Sequence, residues 1–344
     1  MRSRVSVLRP SRRRSSSSAT SCAPSHWCHR RSSSLRRREL TNCLVGYHSA
    51  GKVILRQGRY PELAKWEQEA GGVGDRLVVP TSGATLHAWR HGPESGQLVI
   101  FIHGGWMDHR MFDEQVEPVV NAGFQMLTSD LRGHGASLAD AKYDTSVTDM
   151  ARDQLALLDS LGHNGPVHLV GQSLGGMVAQ HVVRLAPERV RSLVTIGAPC
   201  VTPESRRIAA TLATVWRVSG GITGLMPEAA IRRQLPAGTA VKPHVQEYVR
   251  GATENLTKRD FRWLVRVSRE AGRRLPGYRV ECPVLILRGE HDASGAGKLT
   301  ALTGPRWARR DPRARYEVLP GAGHQAHQDQ PEAFNQILLD FLAR

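Results

Sequence analysis

The chain has 344 residues, 40% of them apolar, and a formal net charge of +16. That is enough apolar material for the core of one large or two modest domains, and no apolar run is long enough to span a bilayer. The charge is concentrated: residues 1–38 hold eleven Arg and no Lys, Asp or Glu, so the other 306 residues carry only +5 and no polyanion-binding body is indicated.

The first 50 residues are rich in Arg and Ser, with runs such as Arg12-Arg13-Arg14 and Arg36-Arg37-Arg38. They lack the apolar centre of a secretory signal. Their composition is that of an organellar transit peptide, and equally of an upstream extension that the mature protein lacks. Disorder is expected in either case. A cytoplasmic location is expected, or a mitochondrial or plastid one if the tail is a transit peptide. Five scattered cysteines (Cys22, Cys28, Cys43, Cys200 and Cys282) form neither a disulfide framework nor a Cys-x-x-Cys metal pair.

Order is expected to begin between Gly58 and Asp75. Two short strands, Asp75–Val79 and Thr85–Arg90, flank the turn cluster Pro80-Thr81-Ser82-Gly83. Gln97–Ile102 is a continuous apolar run and reads as a central strand, ending in His103-Gly104-Gly105-Trp106. Met111–Asn121 fits a helix, and Phe124–Ser129 the next strand. Ser146 with Asp149 forms a capping pair that opens a helix to Leu161. Val167–Val170 is a strand, Gly175–Leu185 a helix, and Val190–Ile196 a strand.

Strand and helix alternating at this spacing imply a parallel sheet covered on both faces. The rhythm breaks at Gly197-Ala198-Pro199 and resumes at Pro283–Leu287 and Ala314–Leu319, before a closing helix over Pro331–Ala343. Between them lie helix-like stretches over Glu204–Ser219, Val245–Asn255 and Asp260–Ala271. The expected organisation is an α/β core of residues 75–199 and 280–344, with a mostly parallel eight-stranded sheet, and an inserted helical cap of residues 200–279. The cap holds fifteen Lys or Arg against six Asp or Glu, which reads first as a solvated helical surface and otherwise as a field that attracts an anionic substrate.

The Val167–Val170 strand runs straight into Gly171-Gln172-Ser173-Leu174-Gly175. A chain that turns from strand to helix this sharply strains the corner residue, and small neighbours let the two elements close over it. Ser173 is then exposed above the positive end of the helix, as a nucleophile needs to be. A hydroxyl needs a base, and an imidazole needs an acceptor for its second nitrogen. Ligands of an open α/β sheet meet the carboxyl ends of its strands. There the sequence places Asp292, in competition with Glu290, and His324, in competition with His327 and His291.

Together these motifs resemble those of the α/β-hydrolase superfamily, in the subgroup with a helical cap. The order is the same: the serine elbow, the acid of Gly289-Glu290-His291-Asp292, then Gly323-His324 before the last helix. The resemblance implies an α/β-hydrolase fold and Ser173, Asp292 and His324 as the catalytic residues. His103-Gly104-Gly105-Trp106 is similar to the family's oxyanion loop, which implies the N–H groups of Gly105 and Leu174 as oxyanion donors. His103 is expected to prop that loop, and Asp130, Arg132 and His134 to be structural. Trp106, Trp216 and Met226 are candidates for substrate contact, with Leu225 and Trp263 as further cap residues of that kind.

The implied function is a serine hydrolase of an ester, lactone or thioester of a small, mainly apolar molecule, without metal or organic cofactor. A carbon–carbon bond hydrolase, a cofactor-free perhydrolase and a small-molecule receptor remain open alternatives. Nucleic acid and a membrane span are not expected, and the sequence leaves the oligomeric state open.

Overall fold

In the computed structural model, residues 74–272 and 275–344 are described. The expectations for the basic N-terminal stretch and for the onset of order before Gly74 lie outside the described residues. Strands β1 (Asp75–Thr81), β2 (Ala84–His91) and β3 (Leu98–Ile102) are followed by helix α1 (Asp113–Asn121) and β4 (Gln125–Ser129). After the two-residue β5 (Leu138–Ala139) come α2 (Val147–Ser160), β6 (Val167–Gln172), α3 (Leu174–Leu185) and β7 (Val190–Ile196).

Four helices follow without a strand: α4 (Arg206–Leu225), α5 (Glu228–Thr239), α6 (Pro243–Thr253) and α7 (Lys258–Ala271). The sheet resumes with β8 (Val284–Gly289), α8 (Gly295–Arg310) and β9 (Ala314–Leu319). The short α9 (Ala326–Asp329) and α10 (Pro331–Leu342) close the chain. Among the described residues no helix is long and apolar enough to cross a membrane.

The sheet has nine strands, not the expected eight, in the order β1-β2-β4-β3-β6-β7-β8-β9, with β5 paired to β2. The extra strand is two residues opposite Ala84 and Thr85, too short to leave an alternating pattern. Pairing is antiparallel among β1, β2, β4 and β5 and parallel from β4 onwards. Along the parallel part, Ile102 pairs with Ser129 and Gly171, Gln172 with Ile196, Ile196 with Leu287, and Gly289 with Leu319. The carboxyl ends of six neighbouring strands therefore reach one rim.

Alternation along each strand divides the core. Ile100, Ile102, Leu169, Leu193 and Ile286 face one side, with Met150 and Leu157 of α2 and Met177 and Val182 of α3. Val99, Phe101, Val170, Val194 and Leu285 face the other, with Val119 of α1 and Phe334 and Leu338 of α10. Both faces are buried, so the strands read as continuous apolar runs.

The capping box of Ser146 and Asp149 forms at the start of α2 as expected. Three helical features escape the sequence pattern. Helix α4 continues past Ser219 through Gly220-Gly221, where the pattern ends. Gly220 lies against α7 so closely that an added methyl would come within 2.7 Å of a Val265 methyl group. Helix α5 carries Pro236 near its end, and α8 carries three glycines and Pro305, so both have loop-like composition.

Candidate active site

Ser173 joins β6 to α3 with φ +51° and ψ −111°, a conformation that side chains other than glycine rarely adopt. Its neighbours permit it. Gly175 packs so tightly on the end of β3 that a methyl there would overlap the Ile102 carbonyl. The amino end of α3 is thereby pressed against the loop that follows β3. The first N–H groups of a helix have no partner within it and carry its positive end, so Leu174 presents a donor at this spot. The Ser173 side chain makes no capping bond, and its N–H donates to the Ile196 carbonyl at 2.8 Å.

Beyond β8, Asp292 is 4% exposed and its Oδ2 lies 2.7 Å from Nδ1 of His324. A carboxylate only accepts, so Nδ1 carries the proton and the lone pair is left on Nε2. The other carboxylate oxygen accepts from the Ser294 hydroxyl at 2.6 Å and the Ser294 N–H at 3.1 Å. Burial works to raise the Asp292 pKa. The facing imidazole, its hydrogen bond and the two Ser294 donors outweigh it and hold the carboxyl below its ordinary value. Ser294 was not singled out by sequence. It also caps α8 by accepting the Gly297 N–H at 2.9 Å, and the glycines around it hide that helix start.

The competing residues are engaged elsewhere. Glu290 accepts the Gly321 N–H at 3.0 Å, and His291 is exposed beside it. His327 is fully buried between Phe112 and Phe334, with Nε2 3.0 Å from the Met111 carbonyl. Burial pushes its pKa down to about 3.

Ser173 and His324 share the rim. Gly197, next to the carbonyl that accepts the Ser173 N–H, has φ +58° and leaves no room for a side chain. A methyl there would stand 2.8 Å from His324 Nδ1 and 3.2 Å from Asp292 Oδ2. The Gln172 side chain donates to the His324 carbonyl at 3.0 Å. Among the described residues no hydrogen bond joins Ser173 Oγ to the imidazole. Such contacts are often long without substrate and tighten in the complex.

His103 is fully buried and holds the loop after β3. Its Nε2 accepts the Leu131 N–H at 2.8 Å, so Nδ1 bears the proton and donates to the Gly104 carbonyl at 2.7 Å. In a trans peptide the carbonyl and the next N–H point oppositely, so His103 aims the Gly105 N–H away from itself. Leu264 of α7 roofs this loop, because a methyl on Gly105 would stand 2.5 Å from a Leu264 methyl group. Trp106 follows at φ +70°, half-buried, edge-on to Phe261 at 4.8 Å.

Asp130, Arg132 and His134 are structural here. Asp130 accepts from the N–H groups of His109 and Ala136, and Arg132 pairs with buried Asp153 at 2.5 Å. Among the cap candidates, Trp216 lines a recess with Met177 and Leu212 that does not include Ser173 or His324. Met226 ends α4, its N–H on the Ile222 carbonyl. Two of the further candidates are corrected. Leu225 is 87% exposed, and Trp263 is buried in the core against His134.

A family model described as the alpha/beta hydrolase family matches residues 99–337. The chain belongs to the α/β-hydrolase family. The chain is 31% identical over 127 residues to the AB hydrolase superfamily protein YfhM of Bacillus subtilis, covering 35% of this chain and 42% of the relative. It is 30% identical over 270 residues to the dihydrolipoyllysine-residue acetyltransferase component of the acetoin cleaving system of Pseudomonas putida, covering 76% of this chain and 68% of the relative. The first of these matches thus spans about two-fifths of the relative's length. In fold, the chain is similar to the enol-lactonase of Burkholderia xenovorans LB400, with a TM-score of 0.63 at 20% identity, over 78% of this chain and all of that one.

Proposed function

We propose that this hydrolase cleaves an ester, lactone or thioester of a small, mainly apolar molecule through an acyl-enzyme on Ser173. The reading is carried by the 2.7 Å contact of Asp292 with His324 at the strand-end rim that also presents Ser173. In it, Ser173 Oγ bonds to the substrate carbonyl carbon and gives its proton to His324 Nε2. The carbonyl oxygen gains the electron pair and rests on the N–H groups of Gly105 and Leu174. Collapse expels the leaving group, which takes the proton from His324. Water repeats the sequence on the acyl-enzyme, releasing the acid and restoring Ser173. Asp292 fixes the imidazole tautomer and stabilises the imidazolium. Each oxyanion donor is worth about 10²–10³ in rate where one has been removed from acyl-transfer enzymes.

The apolar surroundings of the Gly105 loop, with Leu264 above it and Trp106 and Phe261 beside it, support a mainly apolar acyl group. Helices α4 to α7 act as the cap in this scheme. A fluorophosphonate probe tests it. Intact protein is expected to be labelled at one site, mapped by mass spectrometry to Ser173, and the Ser173→Ala protein is expected to stay unlabelled. A wild type that binds no probe would overturn the proposal.

A further inference from the structure

Asp329 is fully buried in α9, five residues past His324. Its carboxylate gathers backbone donors from two segments far apart in sequence. From the turn between α5 and α6 it accepts the Val241 N–H at 3.0 Å and the Lys242 N–H at 2.9 Å. From the loop that carries His324 it accepts the Gly323 N–H at 2.8 Å. One further bond closes the same junction, from the Gln325 N–H to the Thr239 carbonyl at 2.9 Å. The residues on either side of His324 are thus both tied to one turn of the inserted helices. The packing is tight, since a methyl on Gly323 would come within 2.9 Å of the Thr239 carbonyl.

We infer that Asp329 is a positioning residue, which clamps the 239–242 turn of the cap to the loop of the general base and so fixes where His324 stands. The inference rests on the serine-hydrolase reading above. A carboxylate suits the place because both oxygens face N–H donors and none of these contacts needs a proton from it. An amide of the same shape would turn an NH₂ group onto one of those donors. The loop would then shift, and the imidazole with it. A misplacement near 1 Å at a reacting group costs on the order of 10² in rate.

The test uses the full chain with p-nitrophenyl butyrate, with rates expressed per active site titrated by the fluorophosphonate. Asp329→Asn is expected to lower kcat by about 10- to 100-fold while KM moves by less than about threefold, and to slow probe labelling by a similar factor. A residue that only supports the fold would lower the yield of titratable sites and leave kcat per site unchanged.

Lys242→Pro approaches from the other side. Lys242 already has φ −76°, which proline adopts, and the change deletes one N–H facing the intact carboxylate. A fall in kcat of about threefold or more is expected there too, and it decides the matter if Asp329→Asn does not fold. Folded variants with wild-type kcat per site would overturn the inference. Failure of the serine reading itself would appear elsewhere, as wild-type protein that takes no label.

Discussion

Replacing Ser173 with alanine is expected to lower ester turnover by about 10⁵-fold, leaving a residual rate from the oxyanion donors and substrate binding alone. The more telling variant is Ser173→Gly. It should be as inactive as the alanine form and yet more stable than wild type. Ser173 sits at φ +51° and ψ −111°, and its side chain makes no capping bond that would be lost. A non-glycine residue held in a sparsely populated region costs about 1–3 kcal/mol. Glycine relieves that strain at an entropic cost of about 0.5–1 kcal/mol, so a net gain near 1 kcal/mol is expected. Alanine keeps the strain and should unfold within about 0.5 kcal/mol of wild type. Denaturant unfolding of the three proteins, beside kcat/KM for p-nitrophenyl butyrate, checks both halves. A glycine variant less stable than the alanine variant would show that the corner is not strained.

The second large effect is on stability in mild acid. His134 and His327 are buried, and burial is the main cause that pushes each down to about 3, with His103 and Lys142 adding to it at His134 and His324 at His327. An unfolded histidine titrates near 6.5. Below that pH the unfolded chain takes up protons that the folded chain refuses. The stability from these two groups is therefore fully present above pH 6.5 and is lost as pH falls towards 3. Each costs about 1.4 kcal/mol per pH unit once the unfolded form is charged, so the pair removes about 3 kcal/mol between pH 6.5 and 5. Guanidinium unfolding at pH 6.5 and 5.0 measures this. A loss below about 1 kcal/mol would mean that both rings take up a proton in the native state within this range.

Much of the fold was legible because each strand of the parallel sheet is buried on both faces and so appears as an unbroken apolar run. The elbow was legible for a steric reason. Gly171 lies against the first turn of α3 and Gly175 against the end of β3, and neither place leaves room for a side chain. Asp292 and His324 could be picked out because they stand at strand ends in the family's order, and the choice over Glu290 and His327 agrees with the contact between them.

What stayed hidden depends on contacts between distant segments. Nothing around Gly220 announces Val265, so the glycine pair in α4 looked like a stop. Ser294 sits in a glycine-rich stretch that reads as loop. Trp263 and Leu225 look alike in an amphipathic pattern, yet one is buried in the core and the other lies in solvent. Asp329 gave no sign at all, because its partners are main-chain groups and main chain has no sequence.

The side chain of Gln172 reaches from the end of β6 to the carbonyl of His324, and its amide oxygen occupies the space above Gly104. Ser173, the loop of His324 and Gly104 therefore all meet at the end of one central strand, while the His324 loop is held from the other side by Asp329. Breathing over the rim is then left to the helices away from the clamped 239–242 turn. Adaptation of the protein to cold or heat would then be written in α4 and α7, while the rim and the turn tied to it stay the same.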